Sequence, residues 1–528
     1  MIADLQPHRL VSSPRLISRF VVIASLLTSL VAVDAAAAVE IRIHLDPAAA
    51  KKPLSGRLFV FFSTSKRGEP RMGPNWFGPE PFFAQDVENF APGESLTLDR
   101  TADGYPTAAG PKPGKYRVQA VLHQDRDCPF PGSGVGNPYS EVQDVELKDD
   151  ATAVELKLTK TVVEPAFPET VWRKEVAQKS KLLSEFHKRD VVERCTVVLP
   201  KGYDDEPERR YPVIYSIPGF GGSHRDEARI GSPPDAEAEV KFIRVYLSGR
   251  CEWGHHVFAD SATNGPRGTA LIHETIPHID KTFRTIAAPT ARFVTGHSSG
   301  GWSSLWLQVT YPEVFGGVWS LAPDPVDFCD FQQVDLYAAP ALNMFRDKSD
   351  KRRPLARRGE EPVLWFDDFT RMDHVILRGG QLRSFDAVFS PLDQAGRPRR
   401  MYDPTSGQVD PQVAEAWRPY DINLKLKQNW KTLEPLLRGK LHIVMGDLDT
   451  FYLNGAVELL AATLKELRSD ARVEILAGED HSSFVTAEFR KKVLQEMTDQ
   501  FLKVHPQPKD SKVTVKTPPD QATLPKRK

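Results

Sequence analysis

The chain has 528 residues, with 69 Lys+Arg against 70 Asp+Glu and only four cysteines. That length implies more than one domain, and a net charge of −1 lacks the basic surplus of polyanion binders, so nucleic acid is excluded as an expected partner. Cys128, Cys195, Cys251 and Cys329 are too widely spaced for a small disulfide scaffold or a zinc pattern; in an oxidising compartment they could pair, in an order that spacing does not give.

At the N-terminus, Arg9, Arg15 and Arg19 precede the uncharged run "FVVIASLLTSLVAV" and the small-residue stretch "DAAAAVE". A basic region, a short apolar region and small residues in that order predict a secretory signal peptide over 1–38, cleaved near Ala38. The run is shorter than the roughly 20 apolar residues a membrane span needs. The protein is therefore expected to be secreted or periplasmic, with no membrane span after cleavage. From 39 to 160, short runs such as "VEIRIHL", "GRLFVFFS" and "GKYRVQAVL" alternate apolar and polar residues between Gly, Pro and Asp turns. This pattern predicts an all-β sandwich domain. It holds no constellation of catalytic groups and is expected to supply none.

Residues 161–190, including "ETVWRKEVAQKSKLLSEFHKRD", read as a helical linker. From 191 to 505 the rhythm changes. Compact apolar runs ("YPVIYSIPG", "VKFIRVYLS", "ARFVTG", "GGVWSLAP", "KLHIVMGD", "RVEILAG") alternate with amphipathic helical stretches. Strands buried on both faces and joined by helices predict an α/β domain with a mostly parallel sheet, whose ligands bind beyond the carboxyl ends of the strands. Between about 325 and 438 the rhythm breaks, and this Pro-, Arg- and Asp-rich segment reads as an inserted cap, its cluster "RDKSDKRRPLARR" as a solvated loop. The Pro- and Lys-rich end, 506–528, is expected to be disordered.

One stretch carries chemistry. In "FVTGHSSGGW", Gly296-x-Ser298-x-Gly300 follows a predicted strand and opens a predicted helix, as a nucleophile elbow does. A serine hydroxyl needs a histidine to take its proton and a carboxylate to orient that histidine. Both occur later in the order Ser, acid, His, each just past a strand: Asp447 and Asp449 in "LHIVMGDLDTF", His481 in "VEILAGEDHSSF". Proximity to the strand end leaves either aspartate open as the acid. Backbone N–H groups of Ser299, after the serine, and Phe220, in the glycine-rich "YSIPGFGGSH", are the expected oxyanion donors. His255 and His256, with Asp260 nearby, raise a metal site, but adjacent residues on an extended segment point to opposite faces, so no metal is expected.

From about Tyr211 to Val504 these motifs resemble the putative esterase family of α/β-hydrolases. "GHSSGG" is similar to its elbow, "GDLDTF" to its acid turn and "GEDHSSF" to its histidine turn. The family includes S-formylglutathione hydrolases, feruloyl and acetylxylan esterase modules, enterochelin esterases and mycolyltransferases. The resemblance implies Ser298 as nucleophile, Asp449 as acid and His481 as base, with no cofactor. The long insert departs from compact members, so their substrates do not transfer. The expected function is hydrolysis of a small-molecule or polysaccharide-linked ester. An acyltransferase would use the same residues with an alcohol in place of water, and a peptidase could use the same triad. An inert glycan- or partner-binding protein would be favoured only if a triad member were missing.

Overall fold

A computed structural model describes residues 39–98, 102–148, 152–226, 238–338 and 342–506. The expected signal peptide, and all but the first residue of the expected disordered tail, lie outside the described residues.

The N-terminal all-β domain is one forked sheet. Its strands run in the order Ser95–Leu98, Glu40–Leu45, Ala153–Thr161, Pro138–Ser140, Gly114–His123, Leu54–Ser63, Phe82–Phe90, Asp103–Tyr105. The fork lies at Gly114–His123: Gln143–Leu147 pairs its first half, while Pro138–Ser140 meets it at Val121 and leads on to Ala153–Thr161. Period-2 alternation then divides the side chains. Ile43, Leu58, Val60, Leu122 and Leu156 form the domain's own core, whereas Phe59, Phe61, Phe82 and Val121 face the other way and join the core of the following domain.

The second domain holds an eight-stranded sheet in the order Arg173–Lys179, Val192–Val198, Ile243–Leu247, Val213–Ile217, Arg292–His297, Gly317–Leu321, Leu441–Gly446, Arg472–Leu476. The first two strands are antiparallel to their neighbours; from Ile243–Leu247 onward all pairs are parallel. Gly317–Leu321 and Leu441–Gly446 are buried throughout, as strands covered on both faces must be. Trp302 and Leu305 of the helix Ser299–Thr310 pack on one face, and Met497 and Phe501 of the helix Ala487–Val504 on the other.

Two expectations change. The 161–190 segment is helical only over Lys181–His187; Arg173–Lys179 is a strand paired with Val192–Val198. The helix starts where Ser180 caps it and the Glu274 carboxylate accepts from the N–H groups of Lys181 and Leu182, at 3.1 and 3.0 Å. Local helix propensity before that point yields to a free sheet edge. The insert is also shorter than its expected span, because Ile422–Leu437 is the helix that the parallel crossover into Leu441–Gly446 requires. The remainder forms a hairpin (Pro354–Arg358 with Glu361–Trp365) and the helices Phe366–Ile376, Gln381–Phe389 and Pro411–Trp417. All four cysteines are free, so the pairing considered above is not formed.

Candidate active site

Ser298 stands between the strand Arg292–His297 and the helix Ser299–Thr310, with φ 61° and ψ −126°. A non-glycine residue holds this strained conformation only where its surroundings impose it. The flanking glycines show what imposes it. A Cβ on Gly300 would sit 2.1 Å from Ile217 O, and one on Gly296 2.1 Å from Gly300 O. The Ser298 side chain does not cap its helix, which leaves Oγ free at the helix N-terminus.

The glycine-rich loop after Val213–Ile217 lies directly against this turn: a Cβ on Gly219 would be 3.8 Å from Ser298 Oγ. The loop's carbonyls are held from behind. Arg250 Nε donates to Gly221 O at 2.8 Å, and His255 Nε2 to Pro218 O at 3.1 Å. The N–H groups of Phe220 and Ser299 have no partner among the described residues. They are therefore available to a ligand oxygen.

His481 and Asp449 meet beyond the ends of the last two strands. His481 Nδ1 bonds to Asp449 Oδ2 at 2.6 Å, and Asp449 is fully buried. Its other oxygen accepts from the N–H groups of Phe451 and Leu453, at 2.8 and 3.1 Å. Asp447 acts differently, since its Oδ1 accepts from Gly478 N at 2.7 Å and ties the acid turn to the histidine turn. Close packing of the two turns depends on Gly446, whose Cβ would lie 2.2 Å from Glu479 O. His297, kept neutral by burial, donates from Nε2 to His481 O at 2.7 Å.

Ser298, His481, Gly219 and Phe220 line one cavity of ≈ 280 Å³. Gln332, Leu355, Phe369, Gln381, Leu382 and Phe385 of the insert line it too. A larger space of ≈ 980 Å³ between the domains holds neither Ser298 nor His481, and its lining reaches Asp226, where the described chain breaks off.

Several residues escaped the sequence reading. Arg357, from the cluster read as a solvated loop, donates to Asp449 O at 2.9 Å and Asp447 O at 3.0 Å, so the insert clamps the acid turn. His255 and His256 are buried and held neutral by that burial; besides its bond to Pro218, His255 accepts from Val257 N at 2.9 Å. Among the described residues no group of three or more potential metal ligands gathers.

Asp324 is the largest omission. It follows the strand Gly317–Leu321, is 5% exposed, lines the cavity and accepts from Ser299 Oγ at 2.5 Å. Burial pushes its carboxyl up to about 6, against the Ser299 hydrogen bond and the His481 charge, which favour ionisation. Burial also pushes the His481 imidazole down, but the charge and hydrogen bond of Asp449, with charge from Asp324 and Asp480, outweigh it and raise the pKa above its ordinary 6.5. An imidazole accepts protons only when neutral, so in an esterase that used His481 as its base, activity is expected to fall as pH drops through that raised value. Asp324→Asn removes one of the charges holding it up, and the acidic limb of kcat/KM is expected to move to lower pH. An unmoved limb, or one moved upward, would show that Asp324 does not act on His481.

The sequence profile described as Putative esterase matches residues 193–499, more than half of the chain. Among solved structures, an S-formylglutathione hydrolase from Agrobacterium tumefaciens is 14% identical, with 63% of this chain and 98% of that one covered and a TM-score of 0.38. Fluorophosphonate-binding serine hydrolase F of Staphylococcus aureus is 12% identical over 62% of this chain and 98% of that one, at TM-score 0.39. A ferulic acid esterase from Anaeromyces mucronatus is 12% identical over 64% and 93%, at TM-score 0.32. No curated protein matches.

Proposed function

The chain belongs to the Putative esterase family, and from that premise we propose that it cleaves a carboxylic ester through an acyl-enzyme on Ser298. The observation that carries the reading is the buried 2.6 Å bond between His481 and Asp449, beside a serine on a strained elbow in the same cavity. Ser298 Oγ attacks the ester carbonyl while His481 Nε2 takes its proton. The carbonyl oxygen becomes an oxyanion, held by the N–H groups of Phe220 and Ser299. The tetrahedral species collapses, the C–O bond to the alcohol breaks, and His481 returns the proton to the leaving oxygen. Water, deprotonated by His481, then attacks the acyl-enzyme, releasing the acid and restoring Ser298. Asp449 holds Nδ1–H and so fixes the tautomer that leaves Nε2 free to accept. The route uses no cofactor.

In this reading residues 1–38 are removed on export, and the substrate is a small-molecule or polysaccharide-linked ester chosen in part by the insert. The test uses protein recovered from the periplasm or medium, expected to begin near residue 39. It should hydrolyse members of a panel of short acyl, aryl-acyl and polysaccharide-linked esters, with free acid as product even when a competing alcohol is present. Product carrying the added alcohol would make the protein an acyltransferase. Turnover of no ester would end the proposal, and an intact Met1 would end the export reading.

A further inference from the structure

The N-terminal domain reaches into this cavity. Trp76 lies between its strands Leu54–Ser63 and Phe82–Phe90, yet it lines the same ≈ 280 Å³ space as Ser298 and His481. Among the described residues, every ring that Trp76 meets belongs to the second domain. Phe220 of the glycine-rich loop is 5.4 Å away between centroids, Phe369 of the insert 5.1 Å and Phe451 of the acid turn 6.3 Å. A large indole on a loop, with its ring partners all across the boundary, is placed for what lies there and not for its own domain's core.

The placement is firm. At one end of the loop, Arg71 stacks on Tyr139 at 4.0 Å, donates to Gly132 O and pairs with Glu69 at 2.5 Å. At the other, the Glu80 carboxylate accepts from Ser63 Oγ at 2.5 Å and from Thr64 N and Oγ1 at 2.5 and 2.7 Å. The domain itself is pinned to the insert by Arg57, whose Nε and Nη2 donate to Val375 O at 3.1 and 2.8 Å. Phe130, from the same domain, presses on the glycine-rich loop: a Cβ on Gly221 would lie 2.6 Å from its ring. The walls of the cavity thus come from both domains, aromatic around Trp76, with Ser298, Asp324, Gln332, Gln381 and His481 among the polar groups that complete the lining.

We propose that substrate selection crosses the domain boundary, with Trp76 forming the wall against which a broad, uncharged, apolar group of the ester lies. This rests on the esterase reading above. Full-length wild type, Trp76→Ala and Trp76→Phe are compared on two series: one varies the acyl group at a fixed small alcohol, the other varies the alcohol at a fixed acetyl group. Labelling of Ser298 by a small fluorophosphonate is followed in parallel.

The acetyl ester of a small alcohol and the labelling rate should change least in both variants. Esters with a broad apolar group, in one series or the other, should lose roughly tenfold or more in kcat/KM in Trp76→Ala. The loss should fall mainly in KM, and Trp76→Phe, which keeps an apolar ring, should lie between. The affected series tells whether the wall receives the acyl or the alcohol side. Equal losses on all esters, or none, would overturn the proposal; so would an unchanged ranking in Trp76→Phe if the alanine variant does not fold. Wild type that takes no label and hydrolyses nothing would overturn it through the esterase reading instead, a result visible before any substitution.

Discussion

Ser298→Ala is expected to remove ester hydrolysis almost completely, with a fall in kcat of roughly 10⁶, the scale seen when the serine of a protease triad is deleted. The fold should survive. Ser298 Oγ does not cap its helix, so its loss breaks no capping bond, and alanine keeps the Cβ that the turn already accommodates. Nearby serines cannot substitute. Ser299 Oγ is committed to Asp324, Ser303 Oγ to Ser299 O and Ser304 Oγ to Gly301 O, all in buried positions. A fluorophosphonate should therefore label wild type and not the variant. Label on another serine, or retained hydrolysis in a variant with an unchanged melting temperature, would remove Ser298 from the role proposed for it.

What the sequence made legible is what steric necessity writes locally. Gly296 and Gly300 are forced by backbone atoms 2.1 Å from where a Cβ would be, and such demands leave a fixed local spacing. The parallel sheet was legible for a similar reason, since strands such as Leu441–Gly446 are buried on both faces and read as continuous apolar runs. Residues whose role is set by distant partners left no such mark. Asp324 reads as an ordinary residue after a strand until the fold sets it beside Ser299 and His481. Arg357 sits in a charge-rich stretch that resembles solvated loop, and only the docking of the insert turns it onto the acid turn. Trp76 lies in a domain with no catalytic constellation, and nothing in the sequence around it marks a residue that reaches across the boundary. The strand Arg173–Lys179 is hidden in the sequence because its helical composition yields to the sheet edge it completes.

The choice between Asp447 and Asp449 was open from proximity alone, and it yields the second large expected effect. Asp449 uses both oxygens in opposite directions: Oδ2 meets His481 Nδ1, and Oδ1 accepts from Phe451 N and Leu453 N. An asparagine there has one acceptor where two are needed. If its oxygen faces the histidine, its NH₂ confronts two backbone N–H groups. If its NH₂ faces the histidine, Nδ1 must become the acceptor, and the proton moves to Nε2, where it blocks proton abstraction from Ser298. Loss of the orienting acid costs about 10⁴ in kcat in a serine protease triad, and Asp449→Asn should approach that loss. Asp447 needs only one acceptor, for Gly478 N, which an asparagine oxygen can replace. Asp447→Asn should then lose less than about tenfold, since a neutral hydrogen bond substitutes for a charge-assisted one outside the proton path. Steady-state kinetics on both folded variants, with labelling of Ser298 as a check on the elbow, decide between them. A larger loss in Asp447→Asn than in Asp449→Asn would move the acid to Asp447 and undo the role proposed for Asp449.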